Sequence, residues 1–100
     1  MVNYQQGKIY KIVCNVTGLI YVGSTCENTL VGHIRGHRTD FKRFLEDPIH
    51  HLCLPIFLVL FNRDFNIYLL ENYPCDSKDE LLDIEQFYKD NIDCVNNYIL

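Results

Sequence analysis

Five side chains carry the types and spacing that could do chemistry. Tyr10 and Tyr21 sit in two short apolar stretches, Lys8-Ile9-Tyr10 and Tyr21-Val22-Gly23, on either side of Asn15-Val16-Thr17-Gly18. Read as strands joined by a turn, with Gly18 supplying a permissive backbone, the stretches put Tyr10 opposite Gly23 and Tyr21 opposite Ile12. Side chains alternate along a strand, so both phenols then emerge on one face, within reach of one small ligand group. Gly23 beside Tyr10 is expected to leave that face open. The alternative is a hairpin with two half-buried tyrosines, which are good strand formers. His33 and His37 stand four residues apart, one turn of a helix, as packing residues or as part of a site. Such a pair also suits zinc, but the third ligand must come from elsewhere.

The fifth side chain is Glu85. It falls within the stripe Leu81, Ile84, Tyr88 and Ile92 of a helix. An unpaired buried carboxylate is costly, so this placement calls for a cation: a lysine, an arginine or a metal. A hard ion such as Mg²⁺ or Mn²⁺ would suit a lone carboxylate. The plainer reading is a helix-edge glutamate that reaches water or pairs with Lys8 or Lys11.

The elements that must position these residues follow from patterning. Strands are predicted over about Lys8 to Cys14 and Leu19 to Ser24. A helix follows whose inward face holds Leu30, Ile34, His37, Phe41, Phe44 and Leu45, ended by Asp47-Pro48. A short buried helix is expected after Pro55, within the apolar run Leu52 to Phe61. Asn62-Arg63-Asp64 reads as a turn. Phe65 to Tyr73 reads as a third strand, nearly apolar and therefore central. The last helix opens with a capping box, Ser77 and Glu80, and runs to about Asn91. The expectation is an α+β fold: a small three-stranded antiparallel sheet flanked by helices, in the order β-β-α-α-β-α, forming one domain over residues 1–100.

Composition bounds the rest. The formal net charge of −4 argues against non-specific nucleic-acid gripping as the main task, though not against a local basic face. Arg35, Arg38, Lys42 and Arg43 supply such a face on the first helix, or simply a solvated one. The five cysteines have no Cys-x-x-Cys spacing and read as reduced packing residues of an intracellular protein. No apolar run is long enough to span a bilayer, and no signal peptide is expected.

Taken in order, Gly7-Lys8-Ile9-Tyr10-Lys11-Ile12, Ile20-Tyr21-Val22-Gly23-Ser24-Thr25, Thr29-Leu30 with its helix, Glu85-Gln86-Phe87-Tyr88 and Val95-Asn96 resemble the GIY-YIG endonuclease family. The resemblance spans about residues 7 to 97. It implies a nuclease module that hydrolyses DNA phosphodiesters with a divalent metal. By it, Tyr10 and Tyr21 match the motif tyrosines, Glu85 the metal-binding glutamate, His37 a histidine near the scissile phosphate and Asn96 a supporting asparagine. Ser24, Arg35, Arg38, Lys42 and Arg43 would meet DNA, with a protein partner or a homodimer also open. Lys8 stands where the first motif has glycine. His33 stands where the family places arginine, whose permanent charge and fork suit phosphate better than an imidazole. The implied enzyme is therefore weakened, the alternative being a non-catalytic relative that binds DNA or protein.

Overall fold

The computed structural model describes residues 2–49 and 54–97. Strand β1 (Lys8–Cys14) turns into β2 (Ile20–Thr25), followed by helices α1 (Leu30–Glu46) and α2 (Phe57–Leu60), strand β3 (Phe65–Asn72) and helix α3 (Lys78–Asn91). Short 3₁₀ turns lie at Tyr4–Gln6 and Val95–Asn97. The sheet is antiparallel, with strand order β2-β1-β3, and the fold is α+β.

The hairpin register is the expected one: Tyr10 lies opposite Gly23, and Ile12 opposite Tyr21. Gly18 takes the left-handed conformation (φ 76°) that closes the turn. One expectation fails here. The central strand is β1, and among the described residues β3 is an edge that pairs only with β1. Its apolar run has two other causes. A register shift opposite Ile9 and Tyr10 pairs them with Glu71 and Leu69, so Leu70 has no partner and alternation is broken. Phe65 and Ile67 pack on one core while Leu70 packs on the other. Tyr68 and Leu69 lie in the open, at 45% and 47% exposure.

Each face of the sheet has its own core. On one, Tyr10, Ile12 and Cys14 meet Ile34 and Phe41 of α1 and Phe57, Val59 and Leu60 of α2. The Phe57 ring centroid lies 5.3 Å from that of Phe41 and 5.2 Å from that of Phe44, both tilted. Leu45, expected inward, is 41% exposed at the end of α1. On the other face, Ile9 and Val22 meet Leu81, Ile84, Tyr88 and Ile92 along α3, with Cys75 and Cys94. Ser77 caps α3 by accepting from the Glu80 N–H at 3.3 Å. The returning Glu80 carboxylate accepts from Asp76 N–H, one residue before the N-cap. The chain after α3 packs as far as it is described, with Cys94 and Val95 buried. Cys14, Cys26, Cys75 and Cys94 are free thiols. His50, His51 and Cys53 lie outside the described residues. Among the described residues, no helix is long and apolar enough to cross a membrane.

Candidate active site

β1 and β2 deliver both tyrosines to the face covered by α1. Their ring centroids are 6.4 Å apart. Gly23 does not leave this face open. A Cβ there would stand 2.5 Å from Tyr10 Oη and 2.9 Å from Tyr21 Cε1, so the missing side chain is the seat of the Tyr10 phenol. Tyr10 is 1% exposed, and Tyr21 is half-buried.

α1 brings down His33 and His37 from successive turns, with Thr29 capping the helix through the Gly32 N–H. Tyr10 Oη lies 2.8 Å from His33 Nε2 and 3.4 Å from His37 Nε2. The two Nε2 atoms are 2.9 Å apart. Tyr21 flanks the group, its ring 6.4 Å from that of His37. On its far side, His33 Nδ1 faces Glu27 Oε2 at 3.7 Å. Lys8, the departure from the first motif, donates to the Glu27 carbonyl at 2.7 Å and so steadies the loop that carries this acid.

Glu27 is the functional candidate that sequence reasoning missed. It lies in the short loop before α1, where no periodicity speaks for it. Its carboxylate favours the His33 tautomer with the proton on Nδ1, which leaves Nε2 as an acceptor. His37 Nδ1 is buried and has no partner. The cheaper arrangement leaves a bare acceptor there, with the His37 proton on Nε2, facing Tyr10 Oη, while Tyr10 donates to His33 Nε2.

Burial dominates the electrostatics. It raises the Tyr10 phenol far above its ordinary value, helped by the charges of Tyr21, Glu85 and Glu27. It raises Tyr21 too, with Glu85 second. Both imidazoles fall below 6.5, by desolvation, against a partial upward pull from Glu27. At neutral pH the group therefore holds protonated phenols and neutral imidazoles. A phenolate base would need nearby positive charge, and these phenols have the opposite environment.

Glu85 occupies the opposite face of the sheet. It accepts from Ser24 Oγ at 2.6 Å and pairs with Lys89 Nζ at 2.7 Å, at 12% side-chain exposure. Its cation is thus the lysine one turn further along α3. Lys8 is engaged elsewhere, and Lys11 lies over the Tyr68 ring. Glu85 and the phenols are divided by β2, close enough for its charge to raise both of them. Ser24 gives its hydroxyl to Glu85 and does not point at the phenols.

A hard oxygen donor suits Mg²⁺, which often takes a single carboxylate and completes its shell with water and substrate phosphate. Each Glu85 oxygen keeps a lone pair beyond its one partner. The competing Lys89 is 23% exposed and Glu85 12%, so an ion would have to displace a largely covered ion pair. In donor type, Glu85 fits such an ion. Among the described residues, no three His, Cys, Asp or Glu side chains group together for a metal.

Asn96 is a clamp. Its side-chain amide accepts from Val22 N–H at 3.0 Å and donates to Val22 C=O at 2.9 Å. This satisfies the outward backbone of the edge strand between Tyr21 and Gly23. The basic residues of α1 are exposed. Arg35, Arg38 and Lys42 share an arc roughly 100–180° around the helix from His33 and His37, while Arg43 lies on the other flank. Arg38 covers the Phe65 ring at 5.2 Å and, with Lys42 and Arg63, rims an apolar groove over Phe41, Leu60 and Phe65. The basic strip and the histidine group are thus separate features.

Compared with protein-family models, curated proteins and solved structures, the chain matches none.

Proposed function

We propose that this chain is a divalent-metal-dependent DNA endonuclease module of the GIY-YIG kind, weakened by His33 in the place of arginine. The observation that supports this reading is the packing of Tyr10, Tyr21, His33 and His37 into one contiguous group, with the Glu85 charge felt at both phenols.

Glu85 would hold the ion, Mg²⁺ or Mn²⁺, which when bound supplies Lewis-acid polarisation of a phosphoryl oxygen. The chain's own residues do the rest. Tyr10 keeps its proton and hydrogen-bonds His33 Nε2, so its oxygen can orient an attacking water, and His37 would relay the proton that the water gives up. Glu27, across the His33 ring, holds that ring in place. Tyr21 orders the phosphate from the same face, and Asn96 keeps its strand in register. A neutral His33 supplies no permanent positive charge to the phosphate, which is the basis of the expected weakness.

The test is nicking of supercoiled plasmid with Mg²⁺. With the relay at His37 left intact, His33→Arg is expected to raise the rate by about 10²–10³-fold, and Glu85→Ala to abolish it. No rise in the arginine variant, or cleavage untouched in Glu85→Ala, overturns the reading.

A second reading has its own support. Ser24 and Lys89 already satisfy the Glu85 carboxylate, as befits a non-catalytic relative that binds DNA or a protein partner. Salt-sensitive DNA binding that Arg38→Ala and Lys42→Ala weaken, with no cleavage from either protein above, would favour it.

A further inference from the structure

The pair His33 and His37 needs a third ligand to make a metal site, and the fold delivers one from another element. At a metal–ligand distance of about 2.0–2.1 Å, neighbouring ligand atoms between right-angle and tetrahedral arrangement stand about 2.8–3.4 Å apart. The three distances among Tyr10 Oη, His33 Nε2 and His37 Nε2 are 2.8, 2.9 and 3.4 Å. Three atoms at these separations cap one face of a coordination shell, with an ion lying roughly 1 Å out of their plane. We propose that Tyr10, His33 and His37 form a facial site for a borderline transition ion of the Zn²⁺ class.

Two further features favour this. The first is Glu27, whose carboxylate faces Nδ1 of His33 at 3.7 Å. A carboxylate behind a histidine fixes the ring proton on the far nitrogen and leaves the near one free for metal. Lys8 holds the loop that carries it. The second is the contact between the two Nε2 atoms themselves. Only one of the two neutral imidazoles carries a proton at that 2.9 Å contact, and an ion would give both nitrogens an electron-pair acceptor. His33 is 19% exposed, which gives an ion a way in. The donors are two imidazoles and a phenol, which suits zinc, nickel or copper better than Mg²⁺. The site is on the face of the sheet opposite Glu85, and the proposal does not rest on the nuclease reading.

His37 is the weaker ligand, because metal at Nε2 moves its proton to a buried Nδ1 that has no acceptor. Binding also releases the phenol proton of Tyr10, so affinity should rise with pH.

The test uses the whole chain stripped with chelator. Co²⁺ is titrated by visible absorption, and Zn²⁺ by competition with a chromophoric chelator. One equivalent is expected, with no thiolate-to-cobalt charge-transfer band, since the free cysteines take no part. His33→Gln, His37→Gln and Tyr10→Phe should each weaken binding by about tenfold or more, and Glu27→Gln by about tenfold. Circular dichroism confirms that each variant is folded. A variant of His50 and His51, both to Gln, should bind as the parent does. The proposal is overturned if the parent takes up neither ion, if a charge-transfer band appears, or if any of the three ligand variants binds as tightly as the parent.

Discussion

Gly23→Ala is the sharpest probe of the phenol's seat. The added methyl would lie 2.5 Å from Tyr10 Oη, 2.7 Å from Tyr10 Cζ and 2.9 Å from Tyr21 Cε1. Ordinary contacts between such atoms are about 3.5–4.0 Å, so the Tyr10 ring must retreat by about 1 Å. It has little room, being 1% exposed and packed in the α1-side core. Overpacking of this kind costs about 1–3 kcal/mol. Retreat also stretches the 2.8 Å bond to His33, worth about 1 kcal/mol more. The total is about 2–4 kcal/mol, a fall in melting temperature of roughly 8–30 °C for a domain of this size. Tyr10→Phe alone should cost about 1 kcal/mol. In the double variant the shortest clash disappears with the hydroxyl while the Cζ contact stays, so rescue is partial. The assay is calorimetric melting of the parent, both single variants and the double, closed as a cycle. A coupling of about 0.5–2 kcal/mol in the favourable direction is expected. Additivity within about 0.5 kcal/mol would show that Gly23 and the phenol do not share space, and would refute the reasoning.

Asn96→Leu removes both bonds to the Val22 backbone and leaves that edge unsatisfied, at about 1–3 kcal/mol by denaturant titration, with hydrogen exchange fastest at Val22. Stability should fall as the medium is acidified below about pH 6.5: the folded imidazoles of His33 and His37 have lowered pKa values, so the unfolded chain binds more protons there. Glu27 and Asp40 oppose that trend, and Tyr10 and Tyr21 stay neutral throughout; denaturation midpoints at pH 8 and pH 5.5 give the sign. Gly18→Ala meets open space, so its cost of about 1–2 kcal/mol is purely the left-handed backbone, read from the melting temperature. Ser77→Ala should cost about 1 kcal/mol through the lost cap of α3.

The features that sequence made legible are the local ones. The turn at Gly18 and strict alternation fixed the pairing of Tyr10 with Gly23, and the capping box at Ser77 and Glu80 fixed where α3 begins. The failures come from tertiary choices. Nothing along Phe65–Asn72 says that alternation breaks opposite Ile9 and Tyr10, so an edge strand reads as a central one. The periodicity of α3 puts Glu85 toward the sheet but cannot say that Lys89, rather than Lys8 or Lys11, reaches it. Glu27 sits in a loop, and only the path of that loop brings it to His33.

The alternation along β2 decides what kind of site this can be. Tyr21 and Gly23 face α1, whereas Val22 and Ser24 face α3. The phenol–histidine group and the carboxylate are therefore held by adjacent residues of one strand, yet lie on opposite sides of the sheet. A ligand that touches both cannot lie on either face. It must cross the outer edge of β2, which among the described residues pairs with no other strand. Asn96 covers that edge only at Val22, between the two sets of side chains. A rod-like polyanion laid across the edge meets this requirement, and a small molecule seated under α1 does not. Spin labels placed on the edge and on the basic strip of α1 would separate the two routes: broadening by bound DNA at a label on Ile20, with little change at one on Arg35, is what edge binding requires.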